Sequence, residues 1–141
     1  MSLFHITLND CTCKMVEFMD FETRYSIKTD IEYDFLEIID FPKIIESCTE
    51  KWQNRTLVRV NESVVRLGVI QGEFHWHKHD GEDEFFYVID GKLLIDFDNR
   101  TIELYPKQGF TVPKGVTHRT RAPDRTSIMM IASATVKPTG D

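Results

Sequence analysis

Little in this chain provides a covalent or ionic scaffold. Cysteine is scarce, three in 141 residues, at Cys11, Cys13 and Cys48. An odd, low count does not make a disulfide framework and suits a reducing compartment. Cys11 and Cys13 have no second Cys or His pair at zinc-site spacing, so they read as ordinary thiols. Positive charge is also short: Lys plus Arg number 17 against 23 Asp plus Glu, a formal net charge of −6. Such a chain has no overall attraction for phosphate backbones or anionic lipid, so neither nucleic acid nor membrane is expected as a partner. No apolar run reaches the roughly 18 residues of a membrane-spanning helix. Residues 1–10 lack the basic start and apolar core of a secretory signal, and a cytoplasmic location is expected. No repeat or low-complexity tract appears. The length suits one domain, large enough to fold without disulfides or a structural metal.

What the chain does have is strand pattern. Ile31, Tyr33 and Phe35 alternate with Glu32 and Asp34, which predicts a half-buried strand. Asp40 before Phe41-Pro42 marks a helix start, and Ile44, Ile45 and Cys48 then recur at helical spacing. A short helix is predicted over 42–52. From Arg55 to Val136 the chain reads as strands separated by turns, the mark of an antiparallel sandwich or barrel. Asp90-Gly91 is the strongest hairpin signal. With that pair as a two-residue loop, Glu84, Phe86 and Val88 share a face with Leu93, Ile95 and Phe97. Lys92, Leu94, Asp96 and Asp98 take the other, more polar face. Glu84 then lies on an apolar face, which is expensive for a carboxylate unless it is paired or ligating.

His75, His77 and His79 stand at alternate positions of a predicted strand spanning 73–79. His118 follows the turn Pro113-Lys114-Gly115. Two readings are open from the residues alone. The histidines could line a solvated strand face with Glu84 in a salt bridge, or they could converge with Glu84 on a metal. Imidazole and carboxylate suit Fe, Mn, Ni, Zn, Co and Cu alike.

His77-Lys78-His79, four residues, Glu84, six residues, Gly91 resembles the first motif of the cupins, and Pro113-Lys114-Gly115-Val116-Thr117-His118 resembles the core of the second. The resemblance covers about 57–135 and is closest to small stand-alone prokaryotic cupins with an RmlC-like jelly roll. It departs at the motif edges, where glycines usual in the family are replaced by Gln71 and Lys107, and an Asn by Ala122. The resemblance implies an all-β, antiparallel jelly-roll barrel over 53–141. Residues 1–52 are then an extension whose strand and short helix pack on it.

It also implies one divalent transition metal per chain, held by His77, His79, Glu84 and His118, with open positions for a small-molecule substrate or ligand. His75 lies outside the motif and reads as a packed histidine. A homodimer through outer strands is the family-level expectation, with Phe85, Tyr87 and Ile89 on the outward face, where they either meet a partner or pack under residues 1–52. Dioxygenase chemistry with Fe(II) is the first functional expectation, sugar isomerisation or epimerisation the second, and non-catalytic metal or ligand binding the alternative. Arg119, Arg121 and Arg125 are the arginines weighed as an anion clamp, with surface charge as their plainer role.

Overall fold

The computed structural model describes residues 24–141, so the readings made of Cys11, Cys13 and residues 1–10 lie outside the described residues. Eight strands form one sheet system: β1 (Ser26–Ile31), β2 (Trp52–Val60), β3 (Ser63–Glu73), β4 (Glu84–Asp90), β5 (Leu93–Asp96), β6 (Thr101–Leu104), β7 (Gly109–Val112) and β8 (Arg119–Ser133). Their order is β1-β2-β3-β8-β4-β7, with β5 bridging β8 and β6. The sheet is not closed into a continuous ring, and it wraps as a jelly roll.

Alternation builds the interior. Phe86 and Val88 of β4, Leu93 and Ile95 of β5, Ile70 of β3, and Ile128 and Met130 of β8 form the main core. The opposite faces of β2 and β3 present Leu57, Leu67 and Val69 to a second core. This one is covered by α1 (Phe41–Ser47) through Ile44 and the following Cys48. Asp40 caps the helix, its Oδ1 accepting from Lys43 N at 3.2 Å, and Pro42 sits in the first turn where it costs no hydrogen bond.

Three expectations are corrected. The helix stops at Ser47 rather than 52, because Trp52 opens β2 and buries its indole between Tyr25 and Phe74, at ring distances of 5.3 and 5.4 Å. The strand expected at 31–35 lies at Ser26–Ile31, parallel to β2; Tyr33 reaches the second core but Phe35 is 74% exposed. Asp90-Gly91 is not a hairpin. β4 and β5 do not pair; both run antiparallel to β8, β4 along 127–132 and β5 along 119–121. Gly91, at φ 90°, is a corner between two collinear strands. The inferred inner face still holds for Glu84, Phe86, Val88, Leu93 and Ile95, all buried, because a corner of that length keeps the phase that a hairpin would have kept.

Candidate metal centre

The predicted strand at 73–79 ends at Glu73. Beyond it the chain is held by single contacts rather than a ladder. His77 and His118 form a bridge, each N–H donating to the other's carbonyl at 2.9 Å, and Gly115 N donates to His79 O at 2.7 Å. The Pro113–Gly115 turn is thereby clamped to the histidine segment. Glu84 enters from the first residue of β4. Side chains far apart in sequence are so brought together: one donor atom each from His77, His79, Glu84 and His118 lies within 4.8 Å of all the others. His75 is outside this cluster; its Nε2 lies 2.6 Å from Thr139 O, so its ring binds the C-terminal segment rather than packing in the core.

Second contacts set the rings. His77 Nδ1 lies 3.0 Å from His75 O, and His118 Nδ1 lies 2.9 Å from Val116 O. A ring nitrogen facing a carbonyl carries the proton, so in the neutral ring Nε2 keeps its lone pair. Inside the cluster, His79 Nε2, His118 Nε2 and Glu84 Oε2 are buried without a hydrogen-bond partner. His79 Nε2 and His118 Nε2 approach Glu84 Oε2 at 3.3 and 3.8 Å. Burial holds His77 down to about 4, hence neutral at pH 7. Burial pushes Glu84 up, but the imidazoles of His118 and His79 outweigh it and bring the carboxyl to about 2, hence ionised. Burial pushes His79 down, and Glu84 more than reverses this, leaving it raised.

This donor set fits a transition metal. Unpartnered buried lone pairs are costly unless something binds them. Two ligands on one ion lie at most twice a bond of about 2.1 Å apart, roughly 4.2 Å, so the four atoms need draw in by only about half an ångström.

A cavity of about 20 Å³ adjoins the cluster, lined by His77, Glu84, Trp52, Asn54, Arg66 and Thr120 among others. The arginines weighed from sequence are not in it. Arg119 and Arg121 bind Asp96, and Arg125 donates to Ile45 O and Cys48 O. Lys78 pairs with Asp80 at the surface. Gln71 lines a different hollow. Arg66 was missed, although Val64, Arg66 and Ile70 alternate onto one face just as Glu84, Phe86 and Val88 do.

The family profile described as "Cupin domain" matches residues 63–133, half of the chain. The chain belongs to the cupin domain family. It is 44% identical over 84 residues to the uncharacterized protein YdbB of Bacillus subtilis (strain 168), a match spanning 59% of this chain and 74% of that protein. A cupin-2 domain containing protein from Shewanella frigidimarina superposes with a TM-score of 0.64 at 33% identity, covering 67% of this chain and 92% of that one. Protein NMB1881 from Neisseria meningitidis shares the fold, with a TM-score of 0.62 at 23% identity over 69% of this chain and 99% of that one.

Proposed function

We propose that this cupin binds one divalent transition metal through His77, His79, Glu84 and His118 and acts on a small polar molecule as a metal-dependent enzyme of the dioxygenase type. The observation that carries the reading is the set of unpartnered buried Nε2 and Oε2 atoms converging beside an internal cavity. The carbonyls of His75 and Val116 hold the His77 and His118 rings in the ligating tautomer, which removes the cost of ordering them on binding. Glu84, already ionised, supplies the one negative charge of the cluster. Phe86, Ile70 and Ile128 give the cavity an apolar wall. Held by His77, His79, Glu84 and His118, a bound Fe(II) would supply the redox chemistry that dioxygen activation needs.

Dioxygenase chemistry is favoured over sugar isomerisation by the cavity lining. Its ionisable residues are His77, Glu84 and Arg66, the first two committed to the cluster and the third a cation. Among the described residues lining it, none is a separate base able to move a proton between carbons.

Elemental analysis of protein from its native host tests the metal. One ion per chain is expected in the wild type, with most of it lost in His118→Ala and Glu84→Ala and retained in Lys78→Ala. Oxygen uptake by the Fe(II)-loaded protein, screened over small diols, catechols and keto acids, tests the chemistry. Full metal occupancy in both ligand variants overturns the assignment. A loaded protein indifferent to every candidate would favour plain metal or ligand binding.

A further inference from the structure

Arg66 is the least expected residue in the interior. It sits in the middle of β3, between Val64 and Gly68 on the inward face, and is 5% exposed. Its register neighbours across β8 and β4 are Met130 and Phe86, while Glu84 stands one inward position away on β4. The two backbones are thus two strand spacings apart, about 10 Å, and both side chains line the same cavity. No carboxylate among the described residues reaches Arg66 within ion-pair distance. Its Nε donates to Thr56 Oγ1 at 3.3 Å and its Nη2 to Val136 O at 3.2 Å, which orients the guanidinium; its Nη1 is buried without a partner. A buried guanidinium with one edge hydrogen-bonded keeps Nη1 as a donor that an anion can satisfy.

Two further polar atoms of the same cavity are also buried and unpartnered: Trp52 Nε1, a donor, and Asn54 Oδ1, an acceptor. Trp52 is 4% exposed and Asn54 9%. Two donors and one acceptor are the complement of a carboxylate beside a hydroxyl. The donors narrow the class. The cavity, about 20 Å³, has room for one or two water-sized groups, and its two free donors match the two oxygens of a carboxylate rather than the four of a phosphate, with the rest of the ligand extending toward the bordering groove. Arg66 and Pro138 also line an open groove of about 660 Å³ between β1 and the 134–139 segment, so the subsite borders a way in.

We propose that Arg66, Trp52 and Asn54 form a carboxylate subsite beside the His–Glu cluster, and that the protein's small-molecule ligand is a short hydroxy acid. Arg66 Nη1 and Trp52 Nε1 donate to the carboxylate, and Asn54 Oδ1 accepts from the hydroxyl. The choice of a hydroxy acid as substrate rests on the metal reading above; the carboxylate subsite itself does not.

Calorimetric titration with glycolate and acetate, on metal-free and metal-loaded protein, tests it. Glycolate is expected to bind the loaded wild type more tightly than acetate does. Arg66→Gln should weaken glycolate at least tenfold while keeping one metal per chain, and Arg66→Lys should restore part of the loss. Trp52→Phe, which removes the N–H donor together with part of the ring, should weaken glycolate severalfold while keeping one metal per chain. Unchanged glycolate affinity in Arg66→Gln overturns the proposal. So does loss of metal and anion together, which would make Arg66 a mere support for Glu84. Should the Gln variant not fold, the wild type still decides: acetate should raise its melting temperature at matched ionic strength and phosphate should not, and an equal response to both overturns the subsite. Failure of the metal reading looks different, as a wild type that takes up no ion yet binds acetate through Arg66.

Discussion

Asp96 shows how a single buried side chain can be satisfied away from the cluster. It lies on β5, 5% exposed, and its carboxylate accepts from Arg121 Nε at 2.7 Å, Arg119 Nε at 2.8 Å and Thr101 Oγ1 at 2.7 Å. The Arg121 guanidinium, followed by Thr101 and Arg119, outweighs burial and holds the carboxyl well below the usual range of about 3.8. Because the folded value lies below the unfolded one, the stabilisation is complete above about pH 5 and fades as pH falls below about 4. Asp96→Asn should cost about 1–2 kcal/mol at pH 7, at the low end for charged hydrogen bonds because both arginines keep roughly a third of their surface in solvent. Urea titrations of wild type and variant should converge as pH drops to 3. A difference that stays constant from pH 7 to 3 would refute the ion-pair account. Sequence placed Asp96 on the more polar face, whereas β5 is buried on both faces, and Asp96 is covered there by arginines of β8, a strand 23 residues on.

At the scale of elements, the corner at Gly91 decides the path of the chain. β4 and β5 follow one another along β8, and the chain must step sideways between them without reversing. Gly91 does this at φ 90°, with Lys92 N donating to Thr126 Oγ1 at 3.1 Å and that hydroxyl donating back to Lys92 O at 3.1 Å. A Cβ at Gly91 would stand 2.9 Å from Thr126 Cα, a backbone atom of a central strand. Gly91→Ala should therefore cost about 2–4 kcal/mol, strain and clash together. Gly81→Ala, where an added Cβ meets nothing within 4 Å, should stay within about 0.5 kcal/mol. Equal melting temperatures for the two variants would contradict the corner. Asp-Gly between two apolar runs is the right composition for a turn, and no local signal separates a reversal from a sidestep.

At the scale of the whole molecule, the proposed metal site predicts that metal uptake stabilises the fold. The four cluster residues come from the 74–83 segment, the start of β4 and the residue before β8, so they meet only in the folded chain. An ion that binds only the folded state stabilises it by about 2.7 kcal/mol at a hundredfold excess over Kd. For a chain of this length that is a rise of about 5–10 °C in melting temperature, reversed by a chelator and absent in His118→Ala. Scanning calorimetry with Mn, Fe, Co, Ni, Cu and Zn checks this, and no response to any of them would remove the metal from the account. Among the described residues no helix is long and apolar enough to cross a membrane.

By itself the sequence determined what is periodic or closely spaced. Alternation marked the inward residues from Glu84 to Ile95. Spacing marked His77 and His79 as alternate positions of one segment, and the resemblance to cupins is what implied that Glu84 and His118 join them as donors. Asp40 and Pro42 marked where the helix begins. Each of these depends on a residue's near neighbours along the chain, which pattern reveals directly. The tertiary structure alone decided which strand lies on which. That made Asp90-Gly91 a corner along β8, drew Trp52 out of the helix into an aromatic cluster, and tied Arg119 and Arg121 to Asp96. It also turned Arg66 inward, toward the cavity it shares with Glu84. Such pairings are set by packing energy between segments tens of residues apart, and no local pattern encodes the partner.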